Sequence, residues 1–281
     1  MPTGDEMTPP GLGHDPLSTI DPAIVTALSA RAAEIADGAS IDAKLVAMLA
    51  LGSVPIALGV LARDVYGQAP ADVLDVLQFA LLLEYLEAEF YSRGLSASGL
   101  IPSTDRTVFT TIAGHESAHV TALSTLIQGR GAAPRAKPSF DFTAKGNVPN
   151  FAFLPAQYAT FTMLAQAFED TGVRAYKGQA GRLIGDKAVL TAALTIHSVE
   201  ARHAAEVRRL RGKKSWITNA SRDDLPSFSQ AVYDGEDNTT HGAVNVTSFS
   251  TTHGGAASAT EAFDEPLTMA QVLAIVTPFL S

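Results

Sequence analysis

Four stretches of the chain place apolar residues three and four positions apart, which is the period of an amphipathic helix. The first carries a broad apolar stripe that includes Val76, Phe79 and Leu83. Glycine and proline residues stand between the stretches and mark their ends. The predicted helices cover residues 70–98, 103–129, 155–179 and 186–212. This succession predicts a mainly α fold built on a four-helix bundle.

The connections between the predicted helices differ greatly in length. Short turns join the first helix to the second and the third to the fourth, which predicts two antiparallel hairpins. Residues 129–154 lie between the hairpins, contain several prolines and glycines, and lack a helical period. A connection of this length suits a crossover that runs along the bundle.

The segment before the bundle, residues 1–69, is predicted to form an N-terminal arm. It begins with a Pro- and Gly-rich stretch, continues with a helical pattern over 23–38, and then contains the uncharged apolar run 45–62. That run is interpreted as a buried or partner-facing helix, because the residues before it are acidic. An export signal and a membrane anchor, and hence contact with a membrane, stay open as alternatives.

The segment after the bundle, residues 213–281, is rich in Thr, Ser, Asn and Gly. It predicts irregular structure with short strands, packed on the bundle. The chain ends in an amphipathic pattern from Thr268 to about Phe279, which predicts a final helix. The sequence thus divides into an arm, a bundle over 70–212 and a C-terminal extension.

Composition and charge restrict the chemistry. Hydrophobic residues make up 46% of the 281 residues and the formal net charge is −9, so a large core is expected and nucleic acid is not an expected partner. The chain contains no cysteine. Disulfides, thiolate metal sites and cysteine nucleophiles are therefore excluded, and any bound metal must be held by histidine and carboxylate side chains.

Two Glu-x-x-His motifs are the main candidates for such a site: Glu116 with His119, and Glu200 with His203. Three residues span about 300° of an α-helix, so the carboxylate and the imidazole of each motif lie side by side on one face. Such a pair can share one metal ion. Two facing pairs, joined by two further carboxylates, form a dinuclear site.

The motifs belong to a longer internal repeat. Glu84 is followed seven positions later by Tyr91, and Glu169 is followed in the same way by Tyr176. Seven residues are nearly two helical turns, so each tyrosine lies on the face of its glutamate. The order Glu-x6-Tyr and then Glu-x-x-His thus occurs twice, and the second glutamate follows the first by 32 positions in one copy and by 31 in the other. This predicts that two similar hairpins form one site between them.

Four carboxylates in an apolar core require balancing cations, and their combination with imidazole suits Fe, Mn or Zn better than Ca or Mg. The two Glu-x-x-His glutamates are expected to bridge two ions, and Tyr91 and Tyr176 to lie one layer out as hydrogen-bond donors or redox neighbours. The six predicted ligands are Glu84, Glu116 and His119 on one hairpin and Glu169, Glu200 and His203 on the other.

Other acids and histidines of these helices are predicted to lie outside the site. Glu87, Glu89 and Glu206 are interpreted as solvated helix-surface residues. His115 and His197 are interpreted as core or surface histidines, with a role as hydrogen-bond partners of the ligands as the alternative.

The stretch ALLLEYLEAEFY, taken with the two Glu-x-x-His helices, resembles the ferritin-like superfamily, and within it the ferritin-like-domain branch that includes desiccation-related proteins. The resemblance covers roughly residues 70–212. It implies a four-helix bundle with a dinuclear iron or manganese centre. Bacterial members of this branch often carry an export signal in the apolar run, so the resemblance favours an exported, periplasmic or envelope-associated protein over a cytoplasmic one.

Taken together, these features predict a protein with two transition-metal ions, Fe or Mn, that acts on a small-molecule oxidant, either dioxygen or a peroxide. If it is an enzyme, it is an oxidoreductase with ferroxidase- or catalase-like chemistry, and the resemblance adds a role in stress or desiccation protection. A homo-oligomer is expected. The alternatives are a non-catalytic structural or protective assembly protein, a vestigial site without turnover, and an iron-storage shell.

Overall fold

A computed structural model of the chain describes residues 73–241, 243–249 and 254–281. The predicted N-terminal helix and the apolar run 45–62 lie outside this part. In the described ranges, no helix is long and apolar enough to cross a membrane. Four long helices dominate, which confirms the predicted mainly α fold: α1 Val73–Ser96, α2 Arg106–Gln128, α3 Tyr158–Ala180 and α4 Lys187–Leu210.

The four helices form a bundle of two hairpins. Helix α1 packs along α2 and α3 packs along α4, while α1 also contacts α3 and α2 also contacts α4. Neighbouring helices run in opposite directions. On α1, for example, Glu84 meets Tyr176 of α3, whereas the later residue Tyr91 meets the earlier residue Glu169.

The sequence explains where α3 and α4 begin. Pro155 opens a short 3₁₀ helix, Pro155–Gln157, that leads directly into α3. The 3₁₀ turn Gly181–Leu183 connects α3 to α4. The side chain of Asp186 then accepts a hydrogen bond from the backbone N–H of Val189 at 3.1 Å, and it thereby caps the first turn of α4.

The core of the bundle has two apolar clusters on either side of a polar middle section. In one cluster, the ring of Phe90 stacks on Phe161 with centroids 4.7 Å apart and meets Phe168 edge-on at 5.0 Å. The other cluster gathers around Leu81 and Leu123. Since Glu84 lies between Leu81 and Phe90 on α1, its carboxylate enters the bundle between the two clusters.

The long connection from α2 to α3 runs along the bundle and takes part in its core. Its Phe140 and Phe142 are buried against the cluster around Phe90. Near this point the end of the chain pairs with the crossover, because the Asp141 N–H donates to the Phe279 carbonyl at 2.8 Å. The crossover is thus fixed to both the bundle and the C-terminus.

The C-terminal extension is irregular, as predicted, and it packs on α3. Its elements are a 3₁₀ helix Ser227–Val232, the antiparallel pair β1 Thr240–His241 and β2 Val244–Asn245, a 3₁₀ turn Val246–Phe249, α5 Ala256–Thr260, α6 Met269–Val276 and a 3₁₀ turn Thr277–Phe279. The side chain of Thr268 caps α6 by accepting a hydrogen bond from the backbone N–H of Gln271. The predicted final helix is therefore confirmed.

A buried arginine holds this extension against the bundle. The guanidinium of Arg174 on α3 donates hydrogen bonds to the backbone carbonyls of Glu265 at 2.7 Å, Asp234 at 2.8 Å and Val232. It also pairs with the carboxylate of Glu236 at 2.7 Å. One α3 side chain therefore joins two separate parts of the extension.

Candidate metal centre

The structure brings all six predicted ligands together in the middle of the bundle. Each of the four helices supplies one carboxylate, and α2 and α4 also supply one imidazole each. The four carboxylate side chains are fully buried, and the two histidines are at most 7% exposed. The helical repeat explains this placement, because two similar hairpins packed face to face direct matching residues at one point.

The ligand atoms fall into two overlapping groups. The first consists of Glu84, Glu116, His119 and Glu200, and its ligand atoms all lie within 4.8 Å of one another. The second consists of Glu116, Glu169, Glu200 and His203 and meets the same distance limit. Glu116 and Glu200 belong to both groups, so these two carboxylates could contribute to two neighbouring metal positions.

Both histidines direct Nδ1 into the site. The Nδ1 atom of His119 lies 3.0 Å from Glu200 Oε1 and 3.2 Å from both Glu84 Oε2 and Glu116 Oε2. A single N–H cannot serve three acceptors. The Nδ1 atom of His203 lies 2.8 Å from Glu116 Oε1, but the two atoms are not aligned as a hydrogen bond. Close approach without hydrogen-bond alignment indicates atoms that converge on a common point, as metal ligands do.

Several ligand atoms lack any other partner. Within the described residues, Glu116 Oε1, Glu169 Oε2, both carboxylate oxygens of Glu200 and His203 Nδ1 are buried without a hydrogen bond. Buried polar atoms are nearly always satisfied in native proteins, and leaving them unpaired is costly. Two cations at this position would satisfy them, and two divalent ions would balance four carboxylates. The residues present therefore fit a dinuclear metal site.

Without metal, burial governs the protonation of three of the carboxyl groups. Burial raises the pKa of Glu84 to about 8 and also raises the pKa of Glu169 and Glu200. Burial by itself would also raise the pKa of Glu116, but the hydrogen bond from His119 and the charge of the nearby His203 lower it to about 2. The site therefore retains protons that a bound metal would replace.

The two imidazoles respond to the same carboxylates. Burial by itself would lower the pKa of His119, but the close carboxylates of Glu116, Glu200 and Glu84 raise it to about 12. Burial would also lower the pKa of His203. The charges of Glu169 and Glu116 outweigh that effect and raise it to about 10. Both imidazoles therefore favour the protonated form beside these carboxylates, and a metal ion would bind only where they have lost that proton.

The two repeated tyrosines contact ligands of the opposite hairpin. Tyr91 of α1 donates its hydroxyl hydrogen to Glu169 of α3, and Tyr176 of α3 donates to Glu84 of α1. The sequence predicts tyrosines one layer out, beside carboxylates, but it does not predict that the hydrogen bonds cross between the hairpins. These bonds fix the orientation of two carboxylates that belong to different ligand groups.

His115 is a further contact that the sequence places outside the site. Its side chain is exposed on α2, yet its Nδ1 lies 2.9 Å from Nε2 of His203. The two rings stack with centroids 5.2 Å apart. The alternative interpretation, a hydrogen-bond partner of a ligand, therefore applies to His115. The signal in the sequence is its position next to Glu116, on the helix face that meets α4.

Glu87 is the one acid for which the sequence-based interpretation is wrong. It is not a solvated residue, because only 3% of its surface is exposed. Three residues after Glu84 is nearly one helical turn, so Glu87 lies on the same inward face and adds a fifth buried carboxylate beside the ligands. Glu89 pairs with Arg93 and Lys137 at the edge of the bundle, where its side chain is only partly exposed.

Comparison with known families agrees with this geometry. The family model of the ferritin-like domain matches residues 72–213, which contain all four bundle helices and all six candidate ligands. It does not single out the desiccation-related branch. A search of curated proteins found no significant match.

Proposed function

The chain belongs to the ferritin-like domain family, and we propose that its bundle holds two iron or manganese ions that react with dioxygen or a peroxide. One observation carries the proposal: two groups of buried ligand atoms, each within 4.8 Å of one another, share Glu116 and Glu200. Mixed imidazole and carboxylate ligands favour these metals over Ca or Mg. When bound, two redox-active ions supply two electrons to one O–O bond.

The residues of the chain have separate tasks in this proposal. Glu116 and Glu200 would serve both metal positions. Glu84 with His119 would complete one position, and Glu169 with His203 would complete the other. The tyrosines hold the terminal carboxylates in orientation, and the apolar clusters above and below the centre exclude bulk water from it. The carboxylates and imidazoles release their protons when the cations bind.

The first test is metal content. Purified protein is analysed by mass spectrometry before and after reconstitution with Fe(II), Mn(II) or Zn(II), and we expect two ions per chain. The double variant Glu116→Ala with Glu200→Ala removes both shared carboxylates, so it should bind neither ion. The matched control is Glu89→Ala with Glu206→Ala, which removes two acids that pair with surface arginines. No ion above trace in the wild type, or equal content in the two double variants, contradicts the proposal.

The second test concerns the oxidant. Protein loaded with Fe(II) is mixed with dioxygen or hydrogen peroxide and followed by stopped-flow absorbance, and protein loaded with Mn(II) is assayed for peroxide dismutation. Zinc-loaded protein is the redox-inert control. Faster turnover than in the Glu116→Ala with Glu200→Ala variant supports the redox function. Two bound ions without turnover by either oxidant would instead support a vestigial or purely structural centre.

A further inference from the structure

A small apolar cavity lies inside the bundle beside the candidate centre. All four helices contribute to its wall, with Leu77, Ala80 and Leu83 from α1, Leu123 from α2, Tyr176 from α3 and Ala193 from α4. Tyr176 and Gln179 are polar members of the wall. Within the described residues, however, hardly any of the surface that faces the cavity is polar.

The size of this cavity limits what it can hold. It offers about 20 Å³ to the centre of a water-sized molecule. An engineered apolar cavity of about 150 Å³ takes up benzene, so this much smaller one suits a molecule of only a few atoms. A water molecule needs two to four polar partners, which an apolar wall does not supply. The cavity therefore suits a small apolar guest.

A second cavity lies next to the first and offers about 10 Å³. Its wall includes Leu83, Leu86 and Glu87 of α1, Phe168 and Gly172 of α3, and Val276 of α6. The surface that these residues present to the cavity is apolar. Because Leu83 belongs to both walls, the two cavities are neighbours along α1.

Both cavities reach the surroundings of the candidate ligands. Tyr176, in the wall of the larger cavity, donates its hydroxyl hydrogen to Glu84. Gly172, in the wall of the smaller one, has no side chain, and a Cβ atom added there would lie 3.3 Å from Glu200 Oε2. A molecule that occupies either cavity is therefore separated from the ligand set by a single residue.

The apolar walls distinguish between the two oxidants of the proposed function. Dioxygen is an apolar molecule of two atoms and has no hydrogen-bond donor, so an apolar wall costs it nothing. Hydrogen peroxide carries two hydroxyl groups. Placing a hydroxyl in apolar surroundings without a hydrogen bond costs roughly 2–7 kcal/mol. The cavities thus favour dioxygen over peroxide.

We propose that the two cavities bind dioxygen and supply it to the metal pair, so that dioxygen rather than a peroxide is the oxidant of the centre. This inference rests on the proposed function, because it selects one of its two oxidants. Dioxygen would enter the larger cavity and pass Leu83 to reach the smaller one.

The first experiment locates the guest and needs no bound metal. Crystals of the full chain, with and without metal, are exposed to xenon, which occupies apolar cavities and is located by its anomalous scattering. We expect xenon between Leu83, Leu123 and Tyr176. Ala193→Val fills part of the larger cavity and should lower the xenon occupancy. The matched control is Ala167→Val, which enlarges a buried alanine in the separate apolar cluster with Ile217 and Tyr233 and should keep it.

The second experiment measures rates. Protein loaded with Fe(II) is mixed with increasing concentrations of dioxygen or of hydrogen peroxide in a stopped-flow instrument. Ala193→Val should bind two ions as the wild type does and slow the reaction with dioxygen several-fold, without changing the rate with hydrogen peroxide. Ala80→Val narrows the same cavity from α1 and should repeat the effect, which guards against a folding defect in one variant. Ala167→Val should leave both rates unchanged.

The outcomes separate this inference from the proposed function. If the wild type binds two ions and reacts, the inference is overturned by the absence of xenon from both cavities. It is also overturned by unchanged dioxygen rates in Ala193→Val and Ala80→Val, or by equal slowing with both oxidants. The proposed function stands in each of these cases. If the wild type binds no metal or reacts with neither oxidant, the proposed function is wrong, and the supply of dioxygen is wrong with it even where xenon binds.

Discussion

The hydroxyl of Tyr91 on α1 donates a hydrogen bond to the carboxylate of Glu169 on α3. Tyr176 on α3 makes the corresponding bond to Glu84 on α1. Each tyrosine therefore orients a glutamate of the other hairpin, and neither hairpin contains a complete set of oriented ligands. The site can form only when the two hairpins dock in the correct register.

We expect Tyr91→Phe and Tyr176→Phe to fold but to bind metal more weakly. Both tyrosines are buried, and phenylalanine keeps the ring packing while it removes the donor to a buried carboxylate. The loss should lower the free energy of unfolding of the metal-free protein by about 1–3 kcal/mol. Loss of the contact that orients a ligand should weaken metal binding by roughly 10–100-fold. Urea unfolding and calorimetric titration with Mn(II) measure the two effects.

The control for this pair is Tyr158→Phe. Its hydroxyl donates to Asp105 at 2.6 Å, so it offers the same chemical bond at the end of α3 rather than at the centre. Its removal should affect unfolding and leave the affinity for Mn(II) unchanged. If all three variants weaken metal binding equally, the crossed hydrogen bonds do not orient the ligands.

The stability of the metal-free protein should fall as the pH rises from about 4.5 to 10. Burial raises the folded-state pKa of Glu84 from 4.5 to about 8. Its contribution to the stability of the folded protein is therefore full below pH 4.5 and is lost as the pH rises through 8. Burial would lower the pKa values of His119 and His203, but their carboxylate neighbours raise them from 6.5 to about 12 and about 10, respectively. The stability that these two histidines contribute is therefore also lost as the pH rises, at higher pH than for Glu84. Burial by itself would raise the pKa of Glu116, but the hydrogen bond from His119 and the charge of His203 lower it from 4.5 to about 2, so its contribution to stability is full above pH 4.5 and is lost as the pH falls towards 2.

Metal should reverse this trend, because binding requires deprotonated ligands. Thermal unfolding is recorded at several pH values with EDTA and with Mn(II). The melting temperature should fall with pH in EDTA, and the gain produced by Mn(II) should increase with pH. Titration in two buffers of different ionisation enthalpy should show protons released on binding. A gain from Mn(II) that does not depend on pH would contradict the protonated state inferred for the histidines.

His115→Ala should weaken metal binding without unfolding the protein. The side chain is exposed, so little packing is lost, but its hydrogen bond to His203 Nε2 fixes the ring that directs Nδ1 to the centre. Removing the hydrogen-bond partner of a metal-binding histidine typically lowers metal affinity by roughly 10–100-fold. The matched control is Thr111→Ala, an exposed residue one turn earlier on α2 that bonds only to the backbone of its own helix in the described structure. Equal affinities for Mn(II) in the two variants would show that His115 is a surface histidine without influence on the site.

The sequence contains enough information for the helices and for the convergence of the six candidate ligands, because both follow from local rules. Helical spacing places Glu116 beside His119, and the repeat relates them to Glu200 and His203. It does not contain the contacts that depend on docking. Helical spacing puts Glu87 on the inward face of α1, but the room for its buried carboxylate depends on the missing side chain of Gly172 on another helix. The path of the extension is equally non-local, because it depends on Arg174 and on a close backbone contact.

That contact provides a prediction about stability. Gly178 on α3 lies against the backbone of Leu267, and a Cβ atom placed there would be 1.9 Å from the Leu267 carbonyl oxygen. Gly178→Ala should therefore push the C-terminal extension away from α3 and lower the free energy of unfolding, in spite of the better helix propensity of alanine. Gly114→Ala is the matched control, since its added Cβ meets nothing within 4 Å on α2 and should stabilise the helix by about 0.5–1 kcal/mol. Urea titration should show a lower free energy of unfolding for Gly178→Ala and a higher one for Gly114→Ala. A stabilised Gly178→Ala would show that the extension does not pack on α3 in this way.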